Sequence, residues 1–296
     1  MNTFNPDITI IVPMYNGLKY IKDSFSSVKN QSFNGNIELI VVNDGSTDNS
    51  LDLAFKLKKE LDSLRFQVHI HNQTNHGIAR TKYAAALMAS SDRLLMLDQD
   101  DALTENAILS SVNAFDANPD AGIIYSNHLV VDGFGNMIRN STKRAYDTID
   151  FLTGFPLGHL KGFQRDILLK HYPNSLDYLV AEDFALCSSI VFSGCQIAHV
   201  NQTNYIYVVN GHNVTQTNNG LKQQYDEARE IIMLNFSKLG IHDIAFKEPP
   251  VRYNAPNAFT HYLDRQEVIA LLGSSDHSVR KSPVQDFRTG NYASLQ

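Results

Sequence analysis

Short apolar runs alternate with segments of helical period along the first half of the chain. Ile8-Thr-Ile-Ile-Val-Pro13 is β-branched and closed by proline, which predicts a buried first strand. Leu18, Ile21, Phe25 and Val28 then recur at helical spacing. Ile37 to Val42 predicts a second strand, and Asn43-Asp-Gly-Ser-Thr-Asp48 is a turn-rich loop that caps a helix. The apolar face of that helix is Leu51, Leu53, Ala54, Leu57 and Leu61. Phe66 to His71 alternates strictly, with Phe66, Val68 and Ile70 on one face and Gln67, His69 and His71 on the other. The two histidines read as an exposed or edge face, the alternative being a metal pair. Asn75-His-Gly-Ile-Ala-Arg80 opens a third helix that runs through Ala84-Ala-Ala-Leu-Met88. Leu94 to Leu97 is a short buried strand, a helix follows over 105–117 until Pro119 stops it, and Ala121 to Ser126 is a further strand. This repeated alternation predicts an α/β fold, an open, mostly parallel sheet flanked by helices.

The rhythm changes after Asn127. Residues 129–138 read as a hairpin with its turn at 133–136, and 146–158 are irregular. Gly162-Phe-Gln-Arg-Asp166 leads into a short helix, and Ala181-Glu-Asp-Phe184 opens another. Residues 196–200 and 205–209 look like two late strands, followed by the loop Gly211-His-Asn-Val-Thr215. Helical patterns over about 221–239 and 257–272 are separated by Pro249-Pro250. The organisation expected is a domain over 1–218, with halves of about 1–126 and 127–218, then a C-terminal helical appendage over 219–273. Residues 274–296 are polar and aperiodic, and read as a disordered tail.

Composition narrows the function classes. The 296 residues are 43% hydrophobic, ordinary for a sizeable core, and the net charge of −6 argues against broad contact with nucleic-acid phosphates. Cys187 and Cys195 form no ligand-spaced cluster, so neither a disulfide framework nor a cysteine-zinc site is expected. With no signal-peptide pattern and no apolar run of transmembrane length, the chain reads as a soluble, cytoplasmic protein. Peripheral contact at the inner face of the membrane stays open. Neither a dinucleotide-binding glycine fingerprint nor a phosphate-loop motif follows the first strand.

Leu94 to Leu97 run straight into Asp98, Gln99, Asp100 and Asp101. Carboxylates gathered at a strand end repel one another unless a cation or donor groups neutralise them, which points to a divalent metal. The alternative is a helix N-terminus, with Asp100 or Asp101 as cap and Glu105 in the first turn.

These acids do not stand alone. Val12-Pro-Met-Tyr-Asn16, Val42-Asn-Asp-Gly-Ser-Thr-Asp48, Asn75-His-Gly-Ile-Ala-Arg80, Asp98-Gln-Asp100, Gly162-Phe-Gln-Arg165 and Glu182-Asp183 occur in that order, each at a predicted strand end or helix start. Over about 8–215 the chain resembles the family 2 glycosyltransferases of GT-A fold. The resemblance implies an inverting, metal-dependent transfer of a sugar from a nucleotide-sugar donor, above all a UDP-sugar, to a hydroxyl of a glycan or lipid-linked acceptor.

It implies donor-binding roles for Pro13, Tyr15, Asn16, Asp44, Gly77, Arg80, Asp98 and Gln99. Tyr15 suits the base, Asp44 a uracil-type ring N–H, Arg80 the base or diphosphate, and Asp98 the ribose. Asp44 and Arg80 also have ordinary readings, an Asx turn and a solvated helix residue. Asp100 would hold Mn²⁺ or Mg²⁺, with His212 as a further ligand, and Asp101 would cap the next helix or stand behind the metal. Asp183 would be the general base, with Glu182 beside it, although two acids at a helix start are also ordinary capping. Gly162, Phe163 and Arg165 would lie on the acceptor side. This chain has Asn210 and Gln164 where the family commonly has basic residues. Rival readings are a non-catalytic nucleotide-sugar-binding protein and a sugar-nucleotide pyrophosphorylase.

Overall fold

The computed structural model describes residues 4–211, 218–242, 244 and 263–273. In chain order the elements are β1 (Ile8–Met14), α1 (Ile21–Lys29), β2 (Ile37–Asp44), α2 (Ser50–Leu61), β3 (Phe66–Gln73), α3 (Ile78–Met88), β4 (Arg93–Met96), β5 (Ala102–Leu103), α4 (Ala107–Ala117), β6 (Ala121–Asp132) and β7 (Met137–Ser141). Then come α5 (Thr148–Thr153), β8 (Lys161–Gln164), α6 (Arg165–His171), a 3₁₀ turn (Tyr172–Ser175), α7 (Glu182–Val191), β9 (Gln196–Val209), α8 (Asn218–Lys238) and α9 (Arg265–Gly273). None of these helices is long and apolar enough to cross a membrane.

The chain divides into two compact units. The first comprises 1–144, 157–179 and 196–210 and carries a sheet of order β3-β2-β1-β4-β8-β6-β9-β5, with β7 paired to β6. From β3 to β4 all pairs are parallel. β1 and β2 are buried at every position, as strands covered on both faces must be, so apolar residues dominate them and their few polar positions, such as Thr9 and Glu38, are buried with hydrogen-bond partners. β3 is the edge and alternates accordingly, with Phe66 and Val68 buried.

Beyond β4 the sheet is mixed. β8 lies antiparallel between β4 and β6, placing Gly162 opposite both Leu95 and Ile124. A Cβ on Gly162 would sit 2.7 Å from Leu95 Cδ2 and 2.8 Å from Ile124 Cγ1, so this crossing needs glycine. The segment leads into the expected short helix, α6, but is itself a strand. β6 and β9 are each continuous where the sequence suggested separate pieces. Their parallel pairing absorbs the polar Asn127 through register shifts on either side of it.

The second unit comprises 145–156, 180–195 and 211–296. Here α8 packs on α5 and α7, and α9 packs on α5. Arg265 of α9 donates to Asp147 (2.7 and 3.0 Å) and to Asp150 (2.7 Å), the two acids of the capping box that starts α5. The expected appendage over 219–273 is thus corrected. Its described helices share a unit with segments assigned from sequence to the main domain, because α5 and α7 supply the apolar faces that they cover. The proposed tail over 274–296 lies outside the described residues.

Candidate active site

The exits of β1, β2 and β4 meet at the carboxyl edge of the parallel strands, where open α/β sheets form their crevice. Pro13 is inside β1, paired with Val42. Asn16, just beyond, adopts φ 49°, and its side-chain oxygen accepts from Thr47 N at 2.8 Å. Asn16 N donates to Ser46 Oγ at 2.9 Å, so the two loops are stapled together. Tyr15 N donates to Gln99 Oε1 (3.0 Å), and Gln99 Nε2 donates back to Tyr15 O (2.9 Å), which ties the β1 exit to the acid loop. The Tyr15 side chain is left half-exposed.

Asp44 ends β2 and is buried. Its Oδ1 accepts from Gln73 Nε2 and His76 N, both at 2.8 Å, and Oδ2 accepts from Gly77 N at 2.9 Å. It therefore shapes the loop into α3, as an Asx-type acid would. One lone pair on Oδ2 remains for a further donor. Gly77 takes φ 84° at the helix start. Arg80 is exposed in the first turn and pairs with exposed Asp177 at 3.5 Å.

The three acids after β4 have three environments. Asp98 pairs with Lys82 Nζ at 3.3 Å. Burial opposes its ionisation, but Lys82, His159 and Lys161 outweigh burial and hold the carboxyl down at about 2. Asp100 is pushed up by burial and then by the Asp98 charge, although Asn210 Nδ2 donates to it at 2.8 Å. Asp101 is pushed well above the usual carboxylate range by burial and by both neighbouring acids. It accepts from Tyr205 OH (2.7 Å) and Val208 N (2.8 Å). Asp98 N donates to the same Tyr205 oxygen at 3.2 Å. Asp101 thus anchors β9, which corrects the expectation of a helix cap: α4 starts only at Ala107, and its Asn106 start has no side-chain cap.

Glu182 and Asp183 form the first turn of α7 in the second unit. Glu182 is buried, and Asp183 Oδ1 accepts from Phe184 N at 2.8 Å. Glu227 of α8 fixes the approach to this turn, its Oε2 accepting from Val180 N (2.9 Å) and Ala181 N (2.8 Å).

The acceptor-side expectation for Gly162, Phe163 and Arg165 changes. β8 runs against β4, pairing Lys161 with Met96 and Gln164 with Arg93. Phe163 is fully buried, and Arg165 lies at the far end of β4, where its N donates to Asp92 O and its Nη2 to Leu87 O. The register instead brings His159 and Lys161 to the acid end. Sequence reasoning also passed over Lys82, Tyr205 and Glu227. Lys82 had a readable signal, since it falls on the same helical face as Ala79, Ala85 and Ala86, all buried. The others had none, because strand pairing and helix docking position them.

Oxygen-only donors suit a hard divalent cation, and Asp98 with the raised Asp100 form an acid pair that such a charge would relieve. Among the described residues no three His, Cys, Asp or Glu side chains cluster in metal-binding geometry. Two carboxylates fit the way Mg²⁺-like ions are held, by one or two acids with substrate phosphates completing the shell. His212 lies outside the described residues.

Residues 9–171 match the family model "Glycosyl transferase family 2". A protein named "Uncharacterized glycosyltransferase" from Haemophilus influenzae is 29% identical over 183 residues, 61% of this chain and 70% of that protein. Chondroitin synthase of Pasteurella multocida is 31% identical over 135 residues, 46% of this chain but only 14% of the synthase. Among solved structures, S. aureus TarS residues 1–349 with UDP superpose at TM-score 0.56 and 19% identity, covering 81% of this chain and 67% of that one. The mannosyltransferase PcManGT from Pyrobaculum calidifontis, in complex with GDP-Man and Mn²⁺, superposes at TM-score 0.58 and 17% identity, covering 99% and 86%. At these identities the structural likeness establishes the fold, the mixed α/β sheet with flanking helices of the GT-A type.

Proposed function

The chain belongs to glycosyl transferase family 2, and on that premise we propose that it is an inverting, metal-dependent enzyme. It takes a sugar from a uridine-diphosphate donor and places it on a hydroxyl of a glycan or lipid-linked acceptor. The observation that carries this reading is the divided acid loop. Asp98 is held ionised by a buried lysine while Asp100, two residues on, is pushed towards protonation. Such a pair is poised to gain from a cation and a diphosphate. Related folds hold ligands of this class: TarS has been solved with UDP and with UDP-GlcNAc, and PcManGT with GDP-Man and Mn²⁺.

In this reading Tyr15 stacks on the base, Asp44 Oδ2 accepts a ring N–H, and Asp98 takes the ribose hydroxyls. Gln99 and Asn16 keep the two loops in register around them, and Arg80 reaches base or phosphate from the start of α3. Asp100, with Asp98 beside it, would hold Mn²⁺ or Mg²⁺. When bound, the ion neutralises charge developing on the departing nucleoside diphosphate. Asp183 removes the proton from the acceptor hydroxyl as that oxygen attacks the anomeric carbon opposite the leaving group, which inverts the centre. Glu227 fixes the turn that presents Asp183, with Glu182 beside it.

Asp183→Asn separates binding from chemistry. It should keep the UDP-dependent rise in melting temperature while lowering kcat about 10²–10⁴-fold in a sugar-release assay with Mn²⁺. A retained kcat would move the base elsewhere, and no sugar release by the unaltered protein would leave a binding module.

A further inference from the structure

The three acids after β4 are held from one strand, β9. Residues 98–101 run from β4 into β5, and β5 pairs antiparallel with β9, Ala102 opposite Ile206 and Leu103 opposite Tyr205. The acid loop therefore ends on the strand that braces it. β9 is itself fixed by its parallel pairing with β6, from Tyr205 opposite His128 to Val209 opposite Asp132.

Tyr205, Val208 and Asn210 each send a donor from β9 to the loop. Tyr205 is fully buried, and its ring stacks on His159 with centroids 4.7 Å apart. A phenol oxygen can give one hydrogen bond and accept another. Here it donates to Asp101 Oδ2 at 2.7 Å and accepts from Asp98 N at 3.2 Å, so one buried atom joins the two ends of the loop. Val208 N donates to Asp101 Oδ1 at 2.8 Å. Asp101 thus has both oxygens on β9 and fastens the loop there. Asn210, just past the strand, donates from Nδ2 to Asp100 Oδ2 at 2.8 Å. Three carboxylates within four residues repel one another, and fixed donors keep them in one arrangement. Tyr205 and Asn210 stand 104 and 110 residues from the acids they bind, beyond the stretch that matches the family model.

We propose that Tyr205 and Asn210 are positioning residues for donor and metal binding, holding the acid loop in the shape in which Asp98 meets the ribose and Asp100 the cation. The proposal rests on the nucleotide-sugar reading above. The Tyr205 hydroxyl acts on the main chain at Asp98 and, through Asp101, on the far end of the loop. Asn210 acts on the Asp100 carboxylate alone.

The test titrates the full chain with UDP, without metal and again in saturating Mn²⁺, and reads binding by calorimetry. Metal-free affinity reports on Asp98, and the gain on adding Mn²⁺ reports on Asp100. Tyr205→Phe keeps the ring and removes the hydroxyl. It should weaken metal-free UDP binding about tenfold or more and shrink the gain, the scale of losing a group that orients a ligating side chain. Asn210→Ala should leave metal-free binding unchanged and remove most of the gain. Tyr125→Phe is the matched control, since Tyr125 is also fully buried and its hydroxyl donates to Arg144 O at 2.7 Å, not to an acid. It should lower the melting temperature and leave both affinities alone. Unchanged binding by folded Tyr205→Phe, an unchanged gain in Asn210→Ala, or equal weakening by Tyr125→Phe would overturn the proposal. If Tyr205→Phe does not fold, Asn210→Ala decides. No gain from Mn²⁺ in the unaltered chain would strike the metal reading, and the metal-free titration of Tyr205→Phe would then decide. No UDP binding by the unaltered chain would strike the donor reading and this proposal with it, whereas a failure confined to the variants' predictions strikes this proposal alone.

Discussion

Glu38 lies in β2 and Asp98 follows β4, the two strands that flank β1, and the two acids stand at opposite ends of the sheet. Glu38 is near the start of β2. It is buried and accepts from Thr9 Oγ1 (2.6 Å), Ser90 N (2.8 Å) and Ser90 Oγ (2.9 Å). Three donors from neighbouring segments meet this one acid. At the carboxyl end of β4 three acids occupy four residues, and their environments pull in opposite directions. The first arrangement serves folding. The second keeps electrostatic tension that folding alone would remove, which is how sites that handle charge are commonly built.

Replacing one acid of the tense end should show the largest effect. Asp100→Asn is expected to lower Mn²⁺-dependent turnover about 10²–10³-fold, the scale of losing one contact to developing charge, with the melting temperature kept or raised. Unchanged turnover would make Asp100 as structural as Glu38 and break the contrast.

Lys82→Met should come next, in stability. Asp98 sits at about 2 in the fold against 3.8 in a free chain, so its pairing stabilises the fold above pH 3.8, and this contribution is lost as pH falls towards 2. Removing Lys82 should cost on the order of 2 kcal/mol at pH 7 in urea unfolding and flatten that acid-side decline. Asp101 acts with the opposite sign. Its raised value makes its contribution greatest below pH 3.8 and smaller as pH rises through the folded value.

At the quiet end, Glu38→Gln should lower unfolding free energy by about 1 kcal/mol and leave kcat unchanged. A fall in kcat there would mean that the two ends are coupled through β2. Least of all, Arg80→Ala should leave the melting temperature unmoved, because its pair with Asp177 is exposed. A several-fold rise in donor KM would then place the arginine on the donor and extend the tense end outward along α3.

Much of this was legible along the chain. Ile8–Met14 and Ile37–Asp44 declare themselves because strands buried on both faces are predominantly apolar. The acids after Leu97, the Asn-Asp-Gly-Ser turn and the glycine at 77 mark loops at strand ends, and the strands put those loops on one edge. The short helix after Gly162 was legible, but the strand at 161–164 was not, since a four-residue strand has too few positions for a period to emerge. The C-terminal helices looked like an appendage because sequence distance hides that Arg265 closes on Asp147 and Asp150.

The sequence by itself determined the alternation of strands and helices, the family, and which acids stand at the exit of β4. Those properties depend on local pattern and on residues near one another in the chain. Tertiary structure alone decided what each acid experiences: Lys82 against Asp98, Asn210 against Asp100, and Tyr205 against Asp101. It also turned Lys161 rather than Arg165 towards the acids. A carboxylate's charge depends on burial and on groups within a few ångströms, and only folding brings those groups from distant parts of the chain.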